Sequence, residues 1–220
     1  MSDATASRLL SAEARCLAAL RQAVALYPGK PRAAAPMLTA AVAASRAMAR
    51  REGAAAMSLE VGRSLPALPD VRELDNAYAR RAVAGYLKAL GGADAKREAG
   101  ETVHVPGIVS GKLDLIAATE VPGAFSEERE RIEVRFVRDE PSLAPVLLKL
   151  WNAHLDGACP VCRGLHRTSR PWGVDFARGQ KPGRAHPRCR CFTSYMPIPV
   201  VTSGRVRQQR RESGVWEWVD

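Results

Sequence analysis

Aromatic residues make up only 5 % of the 220-residue chain, and histidine occurs four times. Much of the 46 % hydrophobic content is alanine, which buries little area. A thick aromatic core is therefore not expected, and close-packed helices are. No stretch approaches 18 uncharged apolar residues, so no membrane-spanning helix is expected and the chain is read as having no membrane partner. The start, MSDATASRLLSAEARC, has no basic segment followed by an apolar one, so secretion is not expected. Several catalytic motifs are missing too. There is no G-x-x-x-x-G-K-[ST] phosphate loop, G-x-G-x-x-G, G-x-S-x-G or H-E-x-x-H. The H-x-E…P-C-x-x-C of zinc deaminases is absent as well. The chain is not expected to be an enzyme.

Cysteine is scarce but concentrated. Four of the five cysteines fall in two tight pairs, Cys159-Pro160-Val161-Cys162 and Cys189-Arg190-Cys191, the second entered through His186-Pro187-Arg188. The 26 residues between them contain Gly164, Gly173, Gly179 and Gly183 with Pro171 and Pro182, a long turn-rich loop that needs its neck closed. Two closures are open. Zn2+ could take thiolates from Cys159, Cys162, Cys189 and Cys191, with His186 as an alternative fourth ligand. Disulfides among the same cysteines could staple the loop in an oxidising setting. Plain buried thiols would leave the clustering without a reason. Cys16 stands alone beside a helical stripe and reads as core. His154 and His166 lie near the cysteines in sequence and are weaker ligand candidates than His186.

Charge is equally uneven. The formal net charge is +10, and residues 159–220 hold 12 Lys/Arg against 4 Asp/Glu, nearly all the basic ones arginine. Arginine matches phosphate and carboxylate bidentately, so Arg163, Arg167, Arg170, Arg178, Lys181, Arg184, Arg188 and Arg190 are candidates to face DNA or an acidic protein surface. Trp216 and Trp218 close a basic-then-aromatic tail and read as a short strand or docking peptide.

The periodicities predict an α+β protein: an N-terminal antiparallel helical bundle over 1–92, then a small α+β module closed by a Cys/His knuckle. Apolar stripes predict helices over 5–27, 35–52 and from Asp70 to Leu90, with Gly53 and Gly91-Gly92 as stops and Asp70/Glu73 as a capping box. Residues 93–138 read as a connector with short β-strands, since Ile132, Val134 and Phe136 alternate with Glu133 and Arg135. The Glu127–Arg131 charge cluster reads as a solvated loop. Residues 139–203 form the cysteine-rich module and 204–220 the tail.

DGACPVCRGLH, the intervening loop and HPRCRCF together resemble the C-terminal signature of phage Mu F-like head-morphogenesis proteins, minor head proteins of tailed phages. The matching positions are Cys159, Pro160, Cys162, His186, Pro187, Cys189, Arg190 and Cys191, and the likeness covers about residues 140–200. Members usually carry Asp-Gly after the first pair, where this chain has Arg163-Gly164-Leu165-His166. The resemblance implies a helix over Leu143–Leu155, a strand over Phe192–Val201, and a structural virion protein. That protein would be a minor head or head–tail connector component near the portal, acting in head morphogenesis. Its implied partners are portal and other head or neck proteins, further copies of itself and packaged DNA, in a virion assembled in the host cytoplasm. The alternative from the residues alone is a zinc-knuckle nucleic-acid-binding protein. Less favoured is a metal-dependent nuclease using His166, His186 and Asp175.

Overall fold

In a computed structural model, residues 2–65, 68–141, 147–155 and 157–196 are described, with the backbone of 209–211 and 216–218. Four long helices come first: α1 (Ser2–Ala25), α2 (Ala35–Val61), α3 (Arg72–Glu98) and α4 (Val105–Asp139). A 3-10 turn at Pro31–Ala34 joins α1 to α2, and Tyr86 Oη donates to the Pro31 carbonyl across it (3.0 Å). Leu9, Ala12, Leu20, Leu38, Val42, Val83, Leu90, Val121 and Phe125 form the shared core. Half of such a core is alanine or valine, so the helices approach closely. At the α2–α4 contact a Cβ on Gly53 would lie 2.6 Å from the Phe125 carbonyl oxygen.

Three strands and a short helix follow: β1 (Leu148–Asn152), α5 (Pro160–Leu165), β2 (Ser169–Pro171) and β3 (Phe192–Tyr195). The sheet order is β2-β1-β3, both pairings antiparallel, with Leu150 opposite Ser169 and Ser194. The chain is therefore an α+β protein: a four-helix bundle followed by a small antiparallel sheet carrying a Cys/His cluster. A separate antiparallel hairpin pairs β4 (Gln209–Arg211) with β5 (Trp216–Trp218). Among the described residues, no helix is long and apolar enough to cross a membrane.

Several local expectations are corrected. The segment expected to carry short strands is mostly α4, a 35-residue helix that runs through Pro122. Within it Ile132 and Phe136, four apart, are buried, while Val134 is 58 % exposed, so the pattern is helical rather than alternating. The glycines expected to stop helices do not: α2 continues past Gly53 and α3 past Gly91-Gly92. The cap of α3 is Val71, with no side-chain capping bond, although Asp70 Oδ1 accepts from Arg72 N (2.9 Å). Of the helix expected over Leu143–Leu155, residues 143–146 lie outside the described residues, and in place of its remainder stands β1, whose Lys149 and Trp151 point inward and are buried. The strand expected over Phe192–Val201 is described only as β3, and its last five residues lie outside the described residues.

The largest correction concerns the charge cluster, which is no solvated loop. Arg46 and Arg50 of α2 each reach both Asp75 of α3 (2.9 Å) and Glu127 of α4 (2.8 and 2.7 Å). Arg129, 1 % exposed, pairs with Glu60 of α2 and donates to the Thr193 carbonyl of β3 (2.6 Å). Glu60 also accepts from the Tyr195 backbone N–H (2.9 Å). Glu133 accepts from Lys149 Nζ (2.5 Å), Gly173 N (2.7 Å) and Tyr195 Oη (2.7 Å). Buried charges persist only when paired, so α4 presents a row of carboxylates and guanidinium that the sheet completes.

Candidate metal centre

Cys159 stands at the N-cap of α5 in extended conformation, with Pro160 at the first helical position. Its Sγ accepts from the Cys162 backbone N–H (3.4 Å), so a three-residue spacing places both sulfurs at one helix start. Cys162 is fully buried. The second pair is set by a turn in which Cys189 N donates to the His186 carbonyl (3.1 Å) and Arg188 takes a left-handed φ of 63°. That turn aims His186 Nε2 at Cys162 Sγ (3.3 Å), while Cys162 and Cys189 sulfurs lie 4.0 Å apart. Two ligand triads result, Cys159/Cys162/His186 and Cys162/Cys189/Cys191, sharing Cys162; within each triad the donor atoms lie within 4.8 Å of one another.

The donor set fits a metal such as zinc. Ligands about 2.3 Å from a tetrahedral Zn2+ sit about 3.8 Å from each other, close to the separations seen here. All five cysteines are free thiols, and the 4.0 Å between Cys162 and Cys189 is about twice a sulfur–sulfur bond. His186 Nδ1 faces the Pro187 carbonyl (2.8 Å), an oxygen that can only accept. The proton therefore belongs on Nδ1 and the Nε2 lone pair points into the cluster, the usual orienting arrangement for a ligating imidazole. Trp151, Phe176 and Ala153 wall the sulfurs, with Trp151 and Phe176 edge to face (5.2 Å), and the buried Trp151 indole N–H has no partner among the described residues.

Electrostatics divide the thiols. The Cys191 thiol, donating to Cys189, holds Cys189 down to about 5, whereas Cys191, as that donor, is pushed far up. Burial raises Cys162 to about 12. The Cys162 backbone N–H lowers Cys159, and the Pro187 carbonyl raises His186. One thiolate is thus already favoured, and an ion would draw out the rest.

Other candidates fall elsewhere. His166 Nδ1 accepts from the Ala153 backbone N–H (3.2 Å), which commits it to the turn after α5. His154 joins neither triad. Lys181 and Arg184 pair with Glu130, and Arg184 also with Glu127 (3.3 Å), all on α4. Arg190 grips Glu13 of α1. These three pair with the chain's own carboxylates while staying partly exposed. Arg170 turns back to the Ser169 carbonyl (3.0 Å). Arg163, Arg167 and Arg188 are exposed. The side chains of Arg178, Trp216 and Trp218 lie outside the described residues. Spacing could not reveal the carboxylate partners, which lie 51 to 177 residues away in sequence.

No family model, curated protein or solved structure matches the chain.

Proposed function

We propose that the cluster is a structural zinc knuckle, and that the chain is a structural component of a tailed-phage or phage-like particle, in the manner of a Mu F-like minor head or neck protein. The zinc reading rests on one observation: His186 Nε2, fixed by the Pro187 carbonyl, converges with the Cys159 and Cys162 sulfurs, and Cys162 is shared with the buried Cys189/Cys191 pair. Cys159, Cys162, Cys189 and either His186 or Cys191 would hold the ion. Zinc would supply a closed cross-link between the two ends of the loop, and no catalytic step is assigned to it. The virion reading is supported by the C-P-x-C…H-P-x-C-R-C resemblance. Consistent with an assembly role, the module is fastened to the bundle by the buried Lys149–Glu133 ion pair and by the hydrogen bonds of Arg129, Glu60 and Glu133 with β3. On this reading its partners are portal and neighbouring head proteins.

Metal analysis and thiol titration on one purified sample test the first half. About one zinc per chain, with the four clustered thiols unreactive until a chelator is added, is expected; no metal and four reactive thiols would overturn it. Co-purification with phage-like particles through high salt tests the second half. The nucleic-acid-binding alternative predicts instead an affinity that falls with salt at about −0.9 per phosphate contacted. Lys181, Arg184 and Arg190 already pair with the chain's own carboxylates, so within the described cysteine-rich module that reading draws chiefly on Arg163, Arg167, Arg170 and Arg188.

A further inference from the structure

At the end of the bundle formed by the start of α4, away from the sheet, lies an open groove of about 1060 Å3. Its floor is apolar, built from Val24, Tyr27, Leu90, Val109 and Leu113. Its rim is basic, with Arg21, Lys30, Arg32 and Arg97 against Asp94. Arg32 pairs with Asp94 and Arg21 with Asp114, which leaves Lys30 and Arg97 exposed and in no ion pair among the described residues. An occupant should therefore be aromatic or aliphatic and carry negative charge.

The chain itself contains such a segment. Residues 215–220 read Val-Trp-Glu-Trp-Val-Asp, four apolar and two acidic residues, and hold two of the chain's four tryptophans. The other two, Trp151 and Trp172, are buried in the module. Trp216 and Trp218 belong to β5. Two indoles bury roughly 150–250 Å2 each and suit a groove of this size.

Reach decides whose segment it is. Tyr195 meets Glu133, and the groove floor includes Val109, 24 residues earlier on α4, or roughly 36 Å along the helix axis. From Met196 to Gln209 there are 13 residue steps, which reach roughly 45 Å at full extension. β4 and β5 then double back. A chain's own tail would have to be drawn out to about four fifths of that limit and held there, whereas a neighbour's is under no such constraint. We infer that this groove receives the Trp216–Trp218 segment of a second copy of the chain, a head-to-tail contact independent of the metal centre.

Sedimentation velocity on the full chain tests this. The wild type should self-associate with rising concentration. Trp216→Ala/Trp218→Ala, which lacks the tail anchors, and Lys30→Glu/Arg97→Glu, which inverts the exposed rim charge, should each be weakened about tenfold or more. All of these changes fall on exposed rim residues or outside the bundle, and circular dichroism would verify the helices. Mixing the two variants should restore a one-to-one dimer, because the first keeps its groove and the second its tail. Self-association unchanged in both variants would overturn the inference. So would a mixture that stays monomeric, or a wild type monomeric at every concentration, the outcome expected if each tail docks on its own chain.

Discussion

Arg190 sits between the two cysteines of the C-x-C pair and clasps Glu13 of α1 through both carboxylate oxygens, with Nε 2.8 Å from Oε2. Alternation along this short extended stretch turns Cys189 and Cys191 into the cluster and sends the intervening arginine outward to the bundle. The knuckle and the first helix are therefore joined through one residue. A double-mutant cycle with Arg190→Ala and Glu13→Ala should give a coupling of about 1 kcal/mol, modest because the guanidinium is 39 % exposed. Denaturant melts of the metal-loaded protein would measure it, and the coupling should shrink at high salt.

The close approach of α2 and α4 reverses an ordinary helix rule. Replacing glycine by alanine inside an exposed helix stabilises by roughly 0.5–1 kcal/mol. Gly85 of α3 has nothing within 4 Å of a built Cβ and should behave so. At Gly53 the same methyl meets backbone, 2.6 Å from the Phe125 carbonyl oxygen, which no rotamer change relieves. Gly53→Ala should instead destabilise by about 1–3 kcal/mol, so thermal melts of the two variants should move in opposite directions.

Arg129 ties α4 to both α2 and β3 from a fully buried position, and its Nε and Nη1 have no partner among the described residues. Truncation would strand the Glu60 carboxylate, which Thr5 Oγ1 (2.5 Å) and the Tyr195 N–H alone would then hold. Arg129→Ala should cost about 3–5 kcal/mol. Pairing it with Glu60→Ala should recover part of that loss, because the second change removes the stranded charge. A double variant no more stable than Arg129→Ala would mean the loss comes from packing against Phe125 and Tyr195 instead.

How much of this could be read from the sequence depended on range. The stripes of α1 to α3 and the pairing of the cysteines were legible because they are local. The end of α2 was not, since Gly53 looks like a cap until Phe125 is placed beside it. α4 is hidden because Ile132, Val134 and Phe136 alternate with Glu133 and Arg135 as a strand would. Only the buried partners of Glu133 and Arg129 reveal a helix that is wet on one side. Likewise the carboxylate partners of Lys181, Arg184 and Arg190 are invisible locally because Glu127, Glu130 and Glu13 are remote in sequence.

The lone cysteine offers a readout of global opening. Cys16 is 1 % exposed, and burial pushes its thiol up to about 11. Thiolate, not thiol, attacks disulfide reagents, so Cys16 should stay unreactive in the folded protein even after a chelator frees the knuckle. With zinc bound as proposed, chelation should release four titratable thiols, and the fifth should appear only with denaturant. Five thiols reacting together on chelation would mean that the bundle opens with the knuckle.

Acid should weaken the α1–α2 seam. Glu52 accepts from Arg8 (2.7 Å) and Arg15 (2.9 Å), and the hydrogen bond from Arg8 holds its carboxyl below the usual range. A carboxyl with a depressed folded pKa contributes stability above its unfolded value, about 4.3, and loses it as pH falls through the folded one. Glu52→Gln should therefore be less stable than wild type at neutral pH, with the gap closing as pH drops below about 4. Urea melts at pH 7, 5 and 3 would follow the gap, which should also narrow with added salt because both arginines are partly exposed. A gap independent of pH would assign the effect to side-chain packing rather than to the carboxylate.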